Sequence, residues 1–108
     1  MDVFQAVAEP TRRAVLDLLL AGERPAGELV AALPYLTQPA VSRHLRILRE
    51  AGLVRVRINA QQRVYALEAA RLAIVYEWLN RYRLFWAAHL TKLENHLDKG
   101  PTRKRRTR

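Results

Sequence analysis

Between positions 38 and 63 the chain carries six arginines, Arg43, Arg46, Arg49, Arg55, Arg57 and Arg63, against one acid, Glu50. Side chains of this kind suit one chemistry. Guanidinium and carboxamide groups pair with the edges of purine bases, and guanidinium and hydroxyl groups hold phosphate oxygens. Gln38, Ser42, Arg43 and Arg46 form the candidate row for such contacts, with base reading and phosphate holding both open to them. Thr37, Pro39 and His44 fall in the same segment and are counted with the row. Arg55, Arg57 and Arg63 lie farther along, where they can meet flanking phosphates or enter a minor groove.

The distribution of charge supports this chemistry. The chain has 108 residues and a net charge of +9. Residues 38–63 hold an excess of +5, and so does the segment 98–108, where Lys99, Arg103, Lys104, Arg105, Arg106 and Arg108 stand against Asp98. The remainder is near neutrality. Positive charge gathered on a footprint marks a nucleic-acid binder more than a generally solvated surface does.

Other chemistries find little footing. The chain has no cysteine, which excludes disulfides, thiolate metal sites and thiol redox sensing within it. No nucleophile, base and orienting group occur together, and no glycine-rich loop could cradle a phosphate, so an enzyme is not expected. The opening Met1-Asp2-Val3-Phe4-Gln5 has no signal-peptide pattern, and no apolar run reaches the ~20 residues of a membrane span. A cytoplasmic protein without membrane contact is the expectation.

The elements that must position these residues follow from periodicity and punctuation. A short segment over 3–8 ends at Glu9-Pro10, and residues 11–21 place Ala14, Val15, Leu18 and Leu19 on one helical face before Gly22. A two-turn helix over 26–33 stops at Pro34. Thr37 then suits an N-cap and Pro39 the first turn of a helix over 38–51, closed by Gly52, with Val41, Leu45 and Leu48 as its buried stripe. From Leu53 the period changes to two. Val54, Val56 and Ile58 alternate with Arg55 and Arg57, and residues 64–67 can return as a second strand across the tip 59–62. The fold class is mainly α with a small β-hairpin.

The last element, residues 69–97, carries Leu72, Leu79, Trp86 and Leu93 at seven-residue intervals, with Val75, Tyr82 and Leu90 between them. One helix of that length would run about 40 Å, more than the rest of so small a chain can cover. Dimerisation through this stripe, joined by Val3 and Phe4, is therefore expected, with Tyr76, Trp78 and Phe85 widening the apolar surface. The organisation is one domain over 1–97 and a basic, disordered tail over 98–108.

The run Leu36-Thr37-Gln38-Pro39-Ala40-Val41-Ser42-Arg43-His44-Leu45-Arg46-Ile47-Leu48-Arg49-Glu50-Ala51-Gly52-Leu53-Val54 closely resembles the ArsR/SmtB family of winged helix-turn-helix repressors. The likeness extends upstream to Ala8-Glu9-Pro10-Thr11-Arg12-Arg13 and downstream to Tyr65-Ala66-Leu67, so that residues 3–97 are covered. The resemblance implies a homodimer built on the first and last helices, reading an inverted repeat in double-stranded DNA. Two recognition helices set about 34 Å apart would reach successive major grooves. The chain resembles the cysteine-free autorepressor branch, whose last helix carries a run like Trp78-Leu79-Asn80-Arg81-Tyr82-Arg83-Leu84-Phe85-Trp86. Its wing tip departs from the glycine-containing turn common in the family.

Family sensors of metals use cysteines before the recognition helix or carboxylate-histidine pairs on the last helix. Here residues 27–32 offer no thiolate. His89 and His96, with Glu94 and Asp98 nearby, do not match the second pattern, so no metal or cofactor is expected. In the Ser-Arg-His-Leu pattern, His44 belongs to helix packing or backbone contact more than to ligation. The alternatives are a metal- or ligand-responsive repressor and a winged-helix module that binds protein or RNA. Against the second stands the positive charge confined to the recognition segment and wing.

Overall fold

A computed structural model describes residues 1–98, with side chains as far as Asn95. The expected disordered tail lies outside these residues except for Asp98, which ends the last helix. The order is α1 (Val3–Val7), α2 (Pro10–Leu19), β1 (Arg24–Pro25), α3 (Ala26–Ala32), α4 (Gln38–Glu50), β2 (Val54–Asn59), β3 (Gln62–Leu67), a 3-10 turn (Ala69–Arg71), α5 (Leu72–Asn80) and α6 (Arg83–Asp98).

α1, α2 and α4 each start where a side chain satisfies free amides, whereas α3 follows Pro25 without a side-chain cap. Asp2 and Gln5 form a reciprocal capping box on α1, and the Glu9 carboxylate accepts from the Thr11 and Arg12 amides at 2.6 and 3.2 Å to open α2. Burial alone would raise the Glu9 pKa, but those two amides and the nearby His44 and Arg12 together hold it below the usual carboxylate value. Arg24 donates from Nε to the Leu18 carbonyl at 3.0 Å, satisfying an acceptor near the end of α2.

The α4 terminus is a Schellman turn. The Leu53 amide reaches back to the Leu48 carbonyl at 2.9 Å and the Gly52 amide to that of Arg49 at 3.0 Å, with Gly52 at φ +79°. Leu48 and Leu53 are both fully buried, so the turn is clamped by the apolar contact that accompanies the motif. A Cβ at Gly52 would meet the Arg71 side chain at 2.6 Å, but that exposed, flexible side chain can shift, so the backbone angle is what favours glycine.

Residues Met1–Val75 form one compact unit. Its core joins Val3 and Ala6 of α1, Val15, Leu16 and Leu19 of α2, Leu29 of α3, Val41, Leu45 and Leu48 of α4, and Leu53, Val54 and Tyr65 of the hairpin, with Leu72 and Val75 packed against it. The sheet has three strands in the order β1-β3-β2. Sequence reasoning expected two. Arg24 and Pro25 pair with Tyr65 and Val64, a two-residue strand with no period of its own to announce it.

The unit from Tyr76 onward corrects the expectation of one continuous helix over 69–97. α5 stops at Asn80 and α6 starts at Arg83. The Arg81 and Tyr82 amides bond to the Trp78 and Leu79 carbonyls, three residues back, at 3.2 and 3.0 Å, tightening the last turn. The Asn80 carboxamide accepts from Arg83 Nε at 3.0 Å, and the Trp78 and Tyr82 rings meet edge to face at 5.6 Å. Asparagine is a poor helix former whose side chain favours such local bonds, so the four-heptad stripe is interrupted between Leu79 and Trp86.

Candidate nucleic-acid interface

The Thr37 hydroxyl accepts from the Ala40 amide at 3.2 Å and fixes the start of α4, with Pro39 in its first turn as the sequence suggests. One side of α4 is committed to the core through Val41, His44, Leu45 and Leu48. The other exposes Gln38, Pro39, Ser42, Arg43, Arg46 and Arg49. A groove of about 470 Å³ runs along that side, lined by Pro39, Ser42, Arg43, Arg46 and Arg49 of α4 and by Arg63 and Tyr65 of β3. None of its four arginines joins an ion pair among the described residues. The groove is therefore a concentrated, uncompensated positive field, which draws in and holds a polyanion.

Strand register separates the wing arginines. Ile58 lies opposite Arg63 and Val56 opposite Tyr65, whereas Arg55 faces Ala66 and Arg57 faces Val64. Opposed residues share a sheet face and successive residues alternate, so Arg63 stands on the Tyr65 side with α4 while Arg55 and Arg57 point the other way. There Arg57 grips the Glu23 carboxylate with two bonds, 3.2 Å from Nε and 2.7 Å from Nη2, and Arg55 pairs with Glu68. The Arg57 hydrogen bond holds the Glu23 carboxyl below its usual range, and Glu23 in turn raises Arg57. Of the three wing arginines in the candidate row, Arg63 alone lines the groove.

His44 is also displaced from the row. It is only 7% exposed, and its Nδ1 lies 3.2 Å from Nη1 of the buried Arg12, so it belongs to the packing of α4. Sequence reasoning omitted two groove residues. Arg49 stands three positions after Arg46 and seven after Ser42, a helical spacing that could have added it; Tyr65 needed the strand register. Among the candidate dimer residues, Val3 is buried in the chain's own core and Leu72 and Val75 pack on it, while Phe4, Leu79, Tyr82, Leu90 and Leu93 are exposed and Trp86 is half-buried. Among the described residues no three His, Asp or Glu side chains gather as a metal site; those of His96 and Asp98 lie outside the description.

The wing tip is a two-residue loop, with Asn59 paired to Gln62 and Ala60 at φ +59°. A Cβ in that left-handed region costs about 1–2 kcal/mol, part of which glycine would return as unfolded-chain entropy. Ala60→Gly should therefore raise stability by about 0.5 kcal/mol, visible as a melting temperature about 2–4 °C higher. An unchanged or lower melting temperature would show that the turn is not strained.

A short helix, a tight turn, a second helix with a cationic outer face and a hairpin beside it define a winged helix-turn-helix DNA-binding protein. Residues 9–56 match the bacterial regulatory protein arsR family. The chain belongs to the ArsR family of transcriptional regulators and is not an enzyme. It is 40% identical over 95 residues to the HTH-type transcriptional regulator Rv2034 of Mycobacterium tuberculosis, covering 88% of this chain and 85% of that one. It is 33% identical over 78 residues to the transcriptional repressor SdpR of Bacillus subtilis, covering 72% and 86% respectively. A crystal structure of an ArsR family transcriptional regulator matches with a TM-score of 0.69 at 32% identity, over 78% of this chain and 86% of that one. No helix among the described residues is long and apolar enough to cross a membrane.

Proposed function

We propose that the protein is a cytoplasmic repressor that binds an inverted-repeat operator as a homodimer, with α4 in the major groove and the Arg63 side of the wing against the flanking backbone. The observation that carries this reading is the groove in which Ser42, Arg43, Arg46, Arg49 and Arg63 converge without an ion-pair partner among the described residues. Gln38, exposed in the first turn, joins Ser42, Arg43 and Arg46 in the contact row, its carboxamide and the guanidinium groups suited to purine edges and the hydroxyl and guanidinium groups to phosphates. Arg55 and Arg57 remain with Glu68 and Glu23. No metal or cofactor takes part.

The homodimer rests on exposed apolar surface from α5 onward. Leu84 is 87% exposed, Phe85 79% and Leu93 52%, and apolar area of this extent favours a partner. The chain from residue 1 to residue 97 then works as one DNA-binding and dimerisation domain, followed by a basic tail that adds affinity without sequence preference.

Selection from random duplex DNA by the purified full chain tests the reading. A two-fold-symmetric motif with strongly salt-dependent affinity is the expected result. Enrichment of no palindrome would overturn it, and preferential capture of RNA would favour the interaction-module alternative.

A further inference from the structure

Arg12 has no place in the groove, yet it is the most heavily bonded side chain in the described protein. It is 7% exposed, in the first turn of α2, and its guanidinium faces two other helices at once. Nε donates to the Ala6 carbonyl at 2.7 Å and Nη2 to the Gln5 carbonyl at 3.2 Å, both at the C-terminal end of α1, while Nη2 also lies 3.7 Å from the Met1 sulfur. Nη1 points the opposite way, to His44 Nδ1 at 3.2 Å on α4. A guanidinium is donor-only, so His44 must present an unprotonated Nδ1 to it.

We propose that Arg12 is a positioning residue for DNA recognition: by tying His44 to the end of α1, it sets the pose in which α4 presents its arginine row, and makes the seating of α1 a control on DNA affinity. The inference rests on the DNA-binding reading above. Its physical basis is geometric. Ser42, Arg43 and Arg46 are within two residues of His44 on the same helix, so a shift of α4 at His44 moves the whole row. Small displacements of a recognition helix cost several contacts together. Lysine at position 12 would keep the charge but lose the planar fork that spans α1 and α4.

The strut also has a proton dependence of defined sign. His44 is faced by Arg12 of α2, by Glu9 at the α2 N-cap and by its neighbour Arg43 on α4. Burial is the main cause that lowers its pKa from 6.5; Arg12 and Arg43 add to this, and Glu9 opposes it. Because the folded-state value is depressed, the strut is intact above about 6.5 and is lost as pH falls through the lowered value. A protonated ring cannot accept from Arg12 and sets two cations side by side.

The test uses the duplex that the wild-type protein selects, together with hydrogen exchange of the α4 amides, which needs no DNA. Arg12→Lys and His44→Ala should each weaken binding about tenfold and speed α4 exchange, and the double variant should be no worse than the weaker single one. His44→Gln, which keeps an acceptor for Arg12, should recover most of the His44→Ala loss. As pH falls from above 6.5 through the lowered His44 value, the wild type should lose more affinity and more α4 protection than His44→Gln does. Unchanged affinity in both single variants, multiplicative losses in the double, or identical pH profiles for wild type and His44→Gln would overturn the proposal. Should Arg12→Lys not fold, the His44 pair and the wild-type pH profile still decide it. If no duplex is selected, the DNA reading fails while the exchange data still judge the strut.

Discussion

Leu90→Glu combined with Leu93→Glu is expected to convert the protein from dimer to monomer and to lower its affinity for an inverted-repeat duplex about a hundredfold or more. Both leucines are exposed on α6, three positions apart and in step with the half-buried Trp86. Neither contributes to the core of the Met1–Val75 unit, so that unit should retain its fold. Two carboxylates placed in an apolar contact must be desolvated without partners, which exceeds what a modest interface can offset. The loss in DNA binding follows from valency. A dimer engages its second half-site at high effective concentration, and a monomer forfeits that gain without losing one contact in its own groove. Sedimentation gives the oligomeric state, and binding to a single half-site gives the control. A variant that stays dimeric, or a monomer that keeps full affinity for the repeat, would remove α6 from the proposed interface.

Much of this architecture was legible because periodicity and capping act locally. Thr37, Pro39 and Gly52 bracket α4 to within a residue of its observed span, since each meets a steric or hydrogen-bonding need that only a helix end presents. The separation of Arg63 from Arg55 and Arg57 was not read from the sequence, because parity divides them only once the strand register sets Ile58 opposite Arg63. β1 was not legible, since a two-residue strand exists only through its pairing with β3. The break at Arg81-Tyr82 escaped for another reason. A heptad count weighs where apolar residues fall, whereas Asn80 acts through its carboxamide. The Arg12–His44 bond spans 32 positions and leaves no local spacing to find.

Arg43→Ala and Arg46→Ala should each reduce affinity for the selected duplex by about tenfold to a hundredfold, the effect of losing one well-placed guanidinium contact of about 1–3 kcal/mol. Both side chains are exposed and make no ion pair among the described residues, so stability should stay within about 0.5 kcal/mol of wild type. The same pair of variants can divide the two roles open to the row. An arginine that reads a base loses discrimination at one operator position and leaves the salt slope nearly intact. An arginine that holds phosphate weakens all sequences alike and flattens the slope by about 0.9 per contact. Arg57→Ala supplies the contrast, because its partner is Glu23 on the face away from α4, and an exposed ion pair is worth at most about 1 kcal/mol. Its affinity loss should fall well below that of either α4 variant. Equal losses at Arg57 and Arg46 would mean that DNA opens the Glu23 pair and recruits the far face of the wing, and the footprint would have to be redrawn around the hairpin.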